Sequence, residues 1–357
     1  MATFGEALEA LEDFRTDLIN EQMNVFSPAA QAMAFRASAV MDDPSPLQNV
    51  HATGVGVRGN KNDPGKGDFV IKVFVFDKSA VQAAAADPFL GESFGGVEVD
   101  VEYLPVQVPF GKVMRAKPAT KAVAQAVAQQ SRHRPVPGGV EIGPLGGNFV
   151  GTLGCFVRRG TGEAAPLFAL SNNHVLSDVN RFPIGTRFTQ PQSSNASDVI
   201  AALSDFEPIH FPSPGSQPRN VMDAAIATVT DQSQVSLGTM LGIANYTPTL
   251  LAPRPGMKVT KSGRTTGVTQ GTVRAIRVRN VQVNYGTRQN PIIATFDNAI
   301  TVTGAGGGSF SKPGDSGSVI LDTASGRPVA LLFAGDATTT TACDIAAVCS
   351  WFNVQPV

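Results

Sequence analysis

Three residues in the chain order His174, Asp223, Ser316 carry the chemistry that this sequence offers. Ser316 lies in Lys312-Pro313-Gly314-Asp315-Ser316-Gly317-Ser318, which runs straight into the apolar stretch Val319-Ile320-Leu321. A nucleophilic hydroxyl needs an Oγ on a tight turn, with backbone N–H groups converging where charge develops on the attacked carbonyl. Glycine on both sides of the serine permits the unusual backbone angles and leaves room for a substrate. Among the four histidines, His51 opens a strand-like run, His133 falls in a basic connector and His210 in a Pro-rich loop. Only His174 closes a long apolar run, PLFALSNNHVL. Asp223 opens DAAIATV, again one polar residue at the mouth of an apolar strand. Each has a plainer reading alone: a structural histidine, a turn or cap aspartate, a turn-prone G-D-S-G. Together they supply a nucleophile, a base for it and an acid that orients the base, which is the chemistry of acyl transfer.

Strands ending at a common edge must position such a set. From Gly139 onward, short β-branched runs alternate with Gly/Pro turns: FVGTLGCFVRR, PLFALSNNHVL, DAAIATV, MKVTKSGRTT, GTVRAIRVRNVQV, SVILD and PVALLFAG. This texture predicts a barrel or sandwich and not alternating strands and helices. The last stretch, Cys343 to Phe352, reads as a helix with Ile345, Val348, Cys349 and Phe352 on one side. Upstream, Phe4, Leu8, Leu11 and Leu18 form a helical stripe, either packed on the nearest sheet or serving as a homo-oligomer contact. Strand-like runs follow at His51–Arg58 and Phe69–Phe76, then a helical stretch at Ser79–Ala86. In Val97–Tyr103, Val97, Val99 and Val101 face opposite to Glu98, Asp100 and Glu102. Residues 1–110 therefore read as a small α+β domain. Residues 111–138, with Lys112, Arg115, Lys117, Lys121, Arg132, His133 and Arg134, read as a connector with a short helix at 119–130.

Residues 139–357 resemble the trypsin/chymotrypsin-like serine proteases. The order His, Asp, Ser is that family's, unlike the subtilisin or α/β-hydrolase orders. Ser262-Gly263-Arg264-Thr265-Thr266-Gly267, followed by Gly271-Thr272-Val273, resembles the opening of the second barrel in bacterial members. Asn172-Asn173 departs from the small Ala-Ala pair usual before the histidine, and Val175 replaces a cysteine often found after it. These departures resemble an intracellular bacterial branch, similar to the relatives of the plant narrow-leaf protease. The resemblance implies a mainly β fold, two antiparallel six-stranded β-barrels preceded by the small α+β domain. It implies a serine endopeptidase acting on protein or peptide substrates without cofactor or metal. Ser316 would be the nucleophile, His174 the base, Asp223 its orienting acid, and the N–H groups of Gly314 and Ser316 the oxyanion hole. Substrate would pair with the open edge Phe333-Ala334-Gly335, and Phe310 would floor the S1 pocket, favouring a small or apolar P1 residue. Asp315, which pairs with a new N-terminus in zymogen-derived members, would take its cation from Lys261 or Arg264.

Composition bounds the alternatives. The chain has 357 residues, more than one domain of ~100–200 usually needs. Its 36 glycines and 25 prolines serve turns, and 42% hydrophobic residues can fill a core. A net charge of −1 with 16% charged residues offers no footprint for nucleic acid or anionic lipid. Three cysteines, Cys155, Cys343 and Cys349, are no disulfide framework, and the acidic N-terminal stretch MATFGEALEALEDFRTDL is unlike a signal peptide. With no apolar run long enough for a membrane helix, the expected location is cytoplasmic. Gly54-Val-Gly-Val-Arg-Gly59 matches G-x-G-x-x-G, but a loop follows where a helix should begin, and Gly65-Lys66 lacks phosphate-loop spacing. Both read as hairpin turns. The sequons at Asn195 and Asn245 matter only in a secreted chain, and no Cys/His spacing resembles a zinc site. Two other readings stay open: a protease-fold scaffold with an unused or sequestered site, and a generic all-β binding protein.

Overall fold

The computed structural model describes residues 2–25, 46–58, 69–77, 79–87, 89–91, 93–109, 113–114 and 128–357. Gly59, Gly65-Lys66, the basic residues Lys112, Arg115, Lys117 and Lys121, and most of the helix expected at 119–130 lie outside the described residues.

The short β-branched runs form barrels. In the C-terminal half, six antiparallel strands close on themselves in the order Lys258–Gly263, Val319–Asp322, Pro328–Gly335, Thr339–Asp344, Ala299–Gly304 and Gly267–Arg279. Alternate side chains point inward, so Val259, Val273, Ile300, Val302, Ile320, Val329 and Leu332 fill this barrel. The preceding half follows the path Cys155–Arg158, Leu167–Ser171, Ala225–Val229, Val199–Phe206, Arg187–Thr189, Val140–Pro144 and Phe149–Leu153. Its two end strands are one piece of chain interrupted at Gly154, so this sheet curls into a half-barrel joined by the backbone itself. A Cβ on Gly154 would lie 2.4 Å from the Gly317 carbonyl oxygen, which is why this crossing requires glycine. The layout is the chymotrypsin-like double barrel, with its first barrel less regular than two six-stranded cylinders. The C-terminal helix runs Ile345–Phe352. It starts after the expected Cys343 because Thr339–Asp344 pairs as a strand and Asp344 caps the helix, its Oδ1 accepting from the Ala346 N–H at 2.8 Å.

At the N-terminus, the helix Phe4–Val25 packs Ala7, Leu11, Phe14 and Leu18 onto Val55, Ile71, Val73, Val99 and Val101. Leu11 and Leu18 of its apolar stripe are thereby buried, and Phe4 and Leu8 are partly buried against the same cluster. Strands Val50–Val57 and Phe69–Val75 are antiparallel, and after the short helix Ala80–Ala85 the strand Val97–Tyr103 returns parallel to the second. Val97, Val99 and Val101 face inward, as their alternation predicts. The small sheet continues the second barrel: Val50–Val57 pairs with the far end of the 13-residue strand Gly267–Arg279, in the register Thr53↔Arg279 and Gly56↔Ala275. This corrects the turn reading of the Gly54/Gly56 pattern. Both glycines lie inside a strand, and a Cβ on Gly56 would sit 2.7 Å from the Arg274 carbonyl oxygen.

Polar ties reinforce this pairing. Buried Lys72 donates to Asp100 at 2.5 Å and to Glu102, which also pairs with Arg274 of the barrel strand. Arg15 reaches from the helix to the Thr53 hydroxyl and carbonyl, both at 2.9 Å, and to the Arg277 carbonyl at 2.6 Å. Among the described residues, no helix is long and apolar enough to cross a membrane.

His51 makes this region pH-sensitive. Its ring stacks on Phe76 at 3.6 Å and its Nε2 lies 2.9 Å from the Leu104 carbonyl oxygen, so the neutral ring donates there. Burial pulls its pKa from 6.5 to about 4. The unfolded chain takes up this proton at higher pH than the folded one, so stability is complete above pH 6.5 and falls as pH approaches 4. The expected loss is at most about 3 kcal/mol. Urea midpoints measured from pH 7 to 4 should fall accordingly, and His51→Phe should flatten that part of the profile.

Candidate active site

Two adjacent strands of the first barrel bring the base and its acid together. Leu167–Ser171 pairs with Ala225–Val229, with Ser171 opposite Ala225. The residues just past one strand and just before the other therefore share one sheet end. His174 sits there on the short helix Asn173–Leu176. Its Nδ1 lies 2.5 Å from Asp223 Oδ2, and its backbone N–H donates to Asp223 Oδ1 at 3.1 Å. Both side chains are buried. The two asparagines that depart from the family's small pair have identifiable work. Asn172 donates from Nδ2 to the Asp223 carbonyl, and Asn173 from Nδ2 to Asn180 Oδ1 and the Glu207 carbonyl, each at 2.7 Å. They bind the histidine loop to the aspartate segment and to its own far side.

The second barrel supplies Ser316 from the turn before Val319–Asp322. Gly314 and Gly317 adopt φ of +103° and +92°, and a Cβ on either would come within 2.2 Å of a neighbour. Among the described residues, no acceptor meets the N–H of Gly314 or Ser316, so both remain available to an oxyanion. The turn is held across the seam by Thr152, whose N–H donates to the Ser316 carbonyl at 2.8 Å and whose hydroxyl donates to the Gly314 carbonyl at 2.9 Å. From below, fully buried Asp315 accepts from the N–H of Thr265, Thr266 and Lys312 and from the Thr266 hydroxyl. The Lys261 ammonium lies 3.4 Å from Asp315 Oδ2, itself fully buried, with its pKa pulled down by desolvation against the pull of Asp315. Of the two cations considered, Lys261 lies beside Asp315, while Arg264 pairs with buried Glu141 at 2.8 Å.

Three placements differ from the sequence expectations. Ser316 Oγ donates to the Phe333 carbonyl at 3.0 Å, and His174 Nε2 has no partner among the described residues. No hydrogen bond joins Ser316 to His174 among the described residues. The edge Phe333-Ala334-Gly335 is not open: Val108–Pro109 pairs antiparallel with it, Pro109 opposite Ala334 and Val108 opposite Gly335. Phe310 packs inside the second barrel, with the Lys261 ammonium 6.0 Å from its ring centre, so it supports the interior under the serine turn.

Tyr285 escaped the sequence reading. From the end of the hairpin Val281–Asn284/Ile293–Phe296, its hydroxyl donates to Asp223 Oδ2 at 2.7 Å. Its ring meets that of His174 edge-on at 6.1 Å. Burial, then the Asp223 charge, hold its own pKa well above 10, so it remains a donor. One tyrosine in a loop gives no periodic or spacing signal, and neither does Thr152. The free cysteines are buried and their thiol pKa values pushed up by desolvation, which makes them poor nucleophiles.

No family model matches the chain, and no curated protein matches it. Among solved structures it is similar to Thermobifida fusca protease A, at 20% identity over 62% of this chain and 98% of that one, with a TM-score of 0.43. It is also similar to the Nocardiopsis protease, at 18% identity over 62% and 98% of the two chains, with a TM-score of 0.42. Cellulomonas bogoriensis chymotrypsin is similar at 19% identity over 62% and 98%, with a TM-score of 0.42.

Two variants test the supports of this site. Removing the Tyr285 hydroxyl deletes a hydrogen bond to a buried charge, worth about 1.5–3 kcal/mol. Tyr285→Phe is expected to slow acylation of Ser316 at least tenfold. The circular dichroism spectrum should stay unchanged. Lys261→Met leaves Asp315 charged, buried and without its cation, a change that costs about 3–5 kcal/mol, readable as a lower urea midpoint.

Proposed function

We propose that the protein is a serine endopeptidase. The observations that carry this reading are the buried His174–Asp223 pair at 2.5 Å and a serine turn that keeps two N–H groups unpaired. Ser316 Oγ rotates from the Phe333 carbonyl toward His174 Nε2 and attacks the scissile carbonyl as the imidazole takes its proton. Asp223 fixes the tautomer and stabilises the imidazolium. The Gly314 and Ser316 N–H groups bind the oxyanion, a contribution of about 2.7–4 kcal/mol per donor. His174 then protonates the leaving amine, and water hydrolyses the acyl-enzyme by the same path in reverse. Substrate backbone would have to displace Val108–Pro109 from Ala334–Gly335 to add there as an antiparallel strand. Residues 1–110 act in oligomerisation, regulation or substrate recruitment. The three free, buried cysteines favour a reducing compartment, the cytoplasm.

A second reading has its own support. The triad side chains are almost fully buried, and Val108–Pro109 occupies the substrate edge, as in a protease-fold scaffold with a sequestered site. Fluorophosphonate labelling separates the two. The endopeptidase reading expects Ser316 of the wild type to label over time, with Ser316→Ala unlabelled and His174→Ala slowed at least 100-fold. Folded wild type that never labels would transfer the assignment to the scaffold.

A further inference from the structure

We infer that residues 107–109 are a built-in inhibitor, latched by the Gln107 side chain, that keeps the site latent toward extended peptides until they displace it. The inference rests on the endopeptidase reading and goes beyond it by naming the segment that regulates the site and what holds it there.

The segment touches each part of the site that an extended peptide needs. Val108–Pro109 pairs antiparallel with Ala334–Gly335, Val108 opposite Gly335. Proline has no N–H, so Val108 is the residue able to exchange hydrogen bonds with Gly335. A peptide that enters by strand addition needs those same backbone groups, and one edge cannot serve two strands. The strand residue adjoining Ala334 is Phe333, whose carbonyl holds Ser316 Oγ, so the occupied edge adjoins the nucleophile. Val108 and Pro109 also share a cavity of about 120 Å³ with His174 and Tyr285, which brings the segment beside the base.

Gln107 is the latch. It is fully buried, and its N–H donates to the Gln282 carbonyl at 2.8 Å while its carbonyl accepts from the Asn284 N–H at 2.9 Å. Its Nε2 donates to Asp336 Oδ2 at 2.8 Å and to the Pro105 carbonyl at 2.9 Å, and its Oε1 accepts from the Thr341 hydroxyl at 3.3 Å. The backbone bonds reach one hairpin and the side chain reaches the second barrel, so one residue is held from two directions. Upstream, the Leu104 N–H donates to the Val75 carbonyl at 3.0 Å, which makes the segment a continuation of the N-terminal unit. Beyond Gln107 the hold is lighter: the Val108 side chain is 43% exposed and Pro109 has no N–H to give. The end of the segment can therefore leave the edge while both barrels stay closed. Because it belongs to the same chain, it competes with a peptide at a fixed effective concentration. A small acylating reagent uses only Ser316, His174 and the oxyanion N–H groups, and it escapes that competition.

The test uses the full chain and two probes of Ser316: a small alkyl fluorophosphonate, and a tripeptidyl diphenyl phosphonate with an apolar P1 group, whose backbone must pair at Gly335. Val108→Pro removes the N–H that pairs with Gly335, and Gln107→Ala removes the side-chain latch. Each should raise the ratio of peptidyl to small-probe labelling rates at least tenfold over wild type. Hydrogen exchange needs no variant. In wild type labelled to completion, the Gln107 and Val108 amides should exchange at least tenfold faster in the peptidyl adduct than in the small-probe adduct. Amides that stay protected in the peptidyl adduct, or folded variants that keep the wild-type ratio, overturn the inference and leave the endopeptidase reading standing, because Ser316 has labelled. If neither variant folds, the exchange comparison decides alone. Folded protein in which neither probe labels wild type or either variant overturns both.

Discussion

A serine from one barrel can work with a histidine from another only if the seam between them is rigid, and Thr152 is the residue that fixes it. Its N–H and hydroxyl hold the Ser316 and Gly314 carbonyls, its hydroxyl accepts from the Arg264 N–H at 3.0 Å, and its carbonyl accepts from the Ser171 hydroxyl at 2.7 Å. One buried residue thereby joins the serine turn, the strand leading to His174 and the turn beneath Asp315. With the two carbonyls held by Thr152, the N–H groups of Gly314 and Ser316 are left for an incoming charge. A polar network of this kind is worth making because each buried group in it finds a partner.

The same economy of partners governs the charges. Asp315 is wholly buried, yet it collects three backbone N–H groups, a hydroxyl and the Lys261 ammonium. The Lys261 ammonium thus faces this buried carboxylate from within the same barrel. Asp223 is likewise enclosed, with the His174 ring, the His174 N–H and the Tyr285 hydroxyl around it. Tyr285 follows the hairpin strand that also flanks Gln107, so Gln107 and the Asp223 carboxylate share one support.

The N-terminal unit is attached by backbone pairing and not merely tethered by a linker. The strand Gly267–Arg279 is long enough to close a barrel with one end and carry a second sheet with the other. Gly54 and Gly56 let the two backbones approach, and Arg15, Lys72 and Arg274 tie the layers together. That attachment brings residues 104–109 to the edge Ala334–Gly335, with Leu104 held to Val75 and His51 on the way.

Residue type and order were enough to single out His174, Asp223 and Ser316, because a nucleophilic turn needs its glycines and each residue stands at the end of an apolar run. Alternation likewise disclosed the strands and the inward valines of Val97–Tyr103. Gly54 and Gly56 read as turn residues only because one chain's sequence cannot express a second strand packed against it. For the same reason Phe310, Tyr285 and Thr152 had no distinguishing mark: their importance lies in what other elements bring to them. The choice of Lys261 over Arg264 for Asp315 depended on buried Glu141 claiming the arginine. The occupied edge at Ala334–Gly335 depended on a strand more than 200 residues away in the chain. Local chemistry and periodicity are written residue by residue, whereas pairing across the seam is settled only when distant segments compete for the same hydrogen bonds.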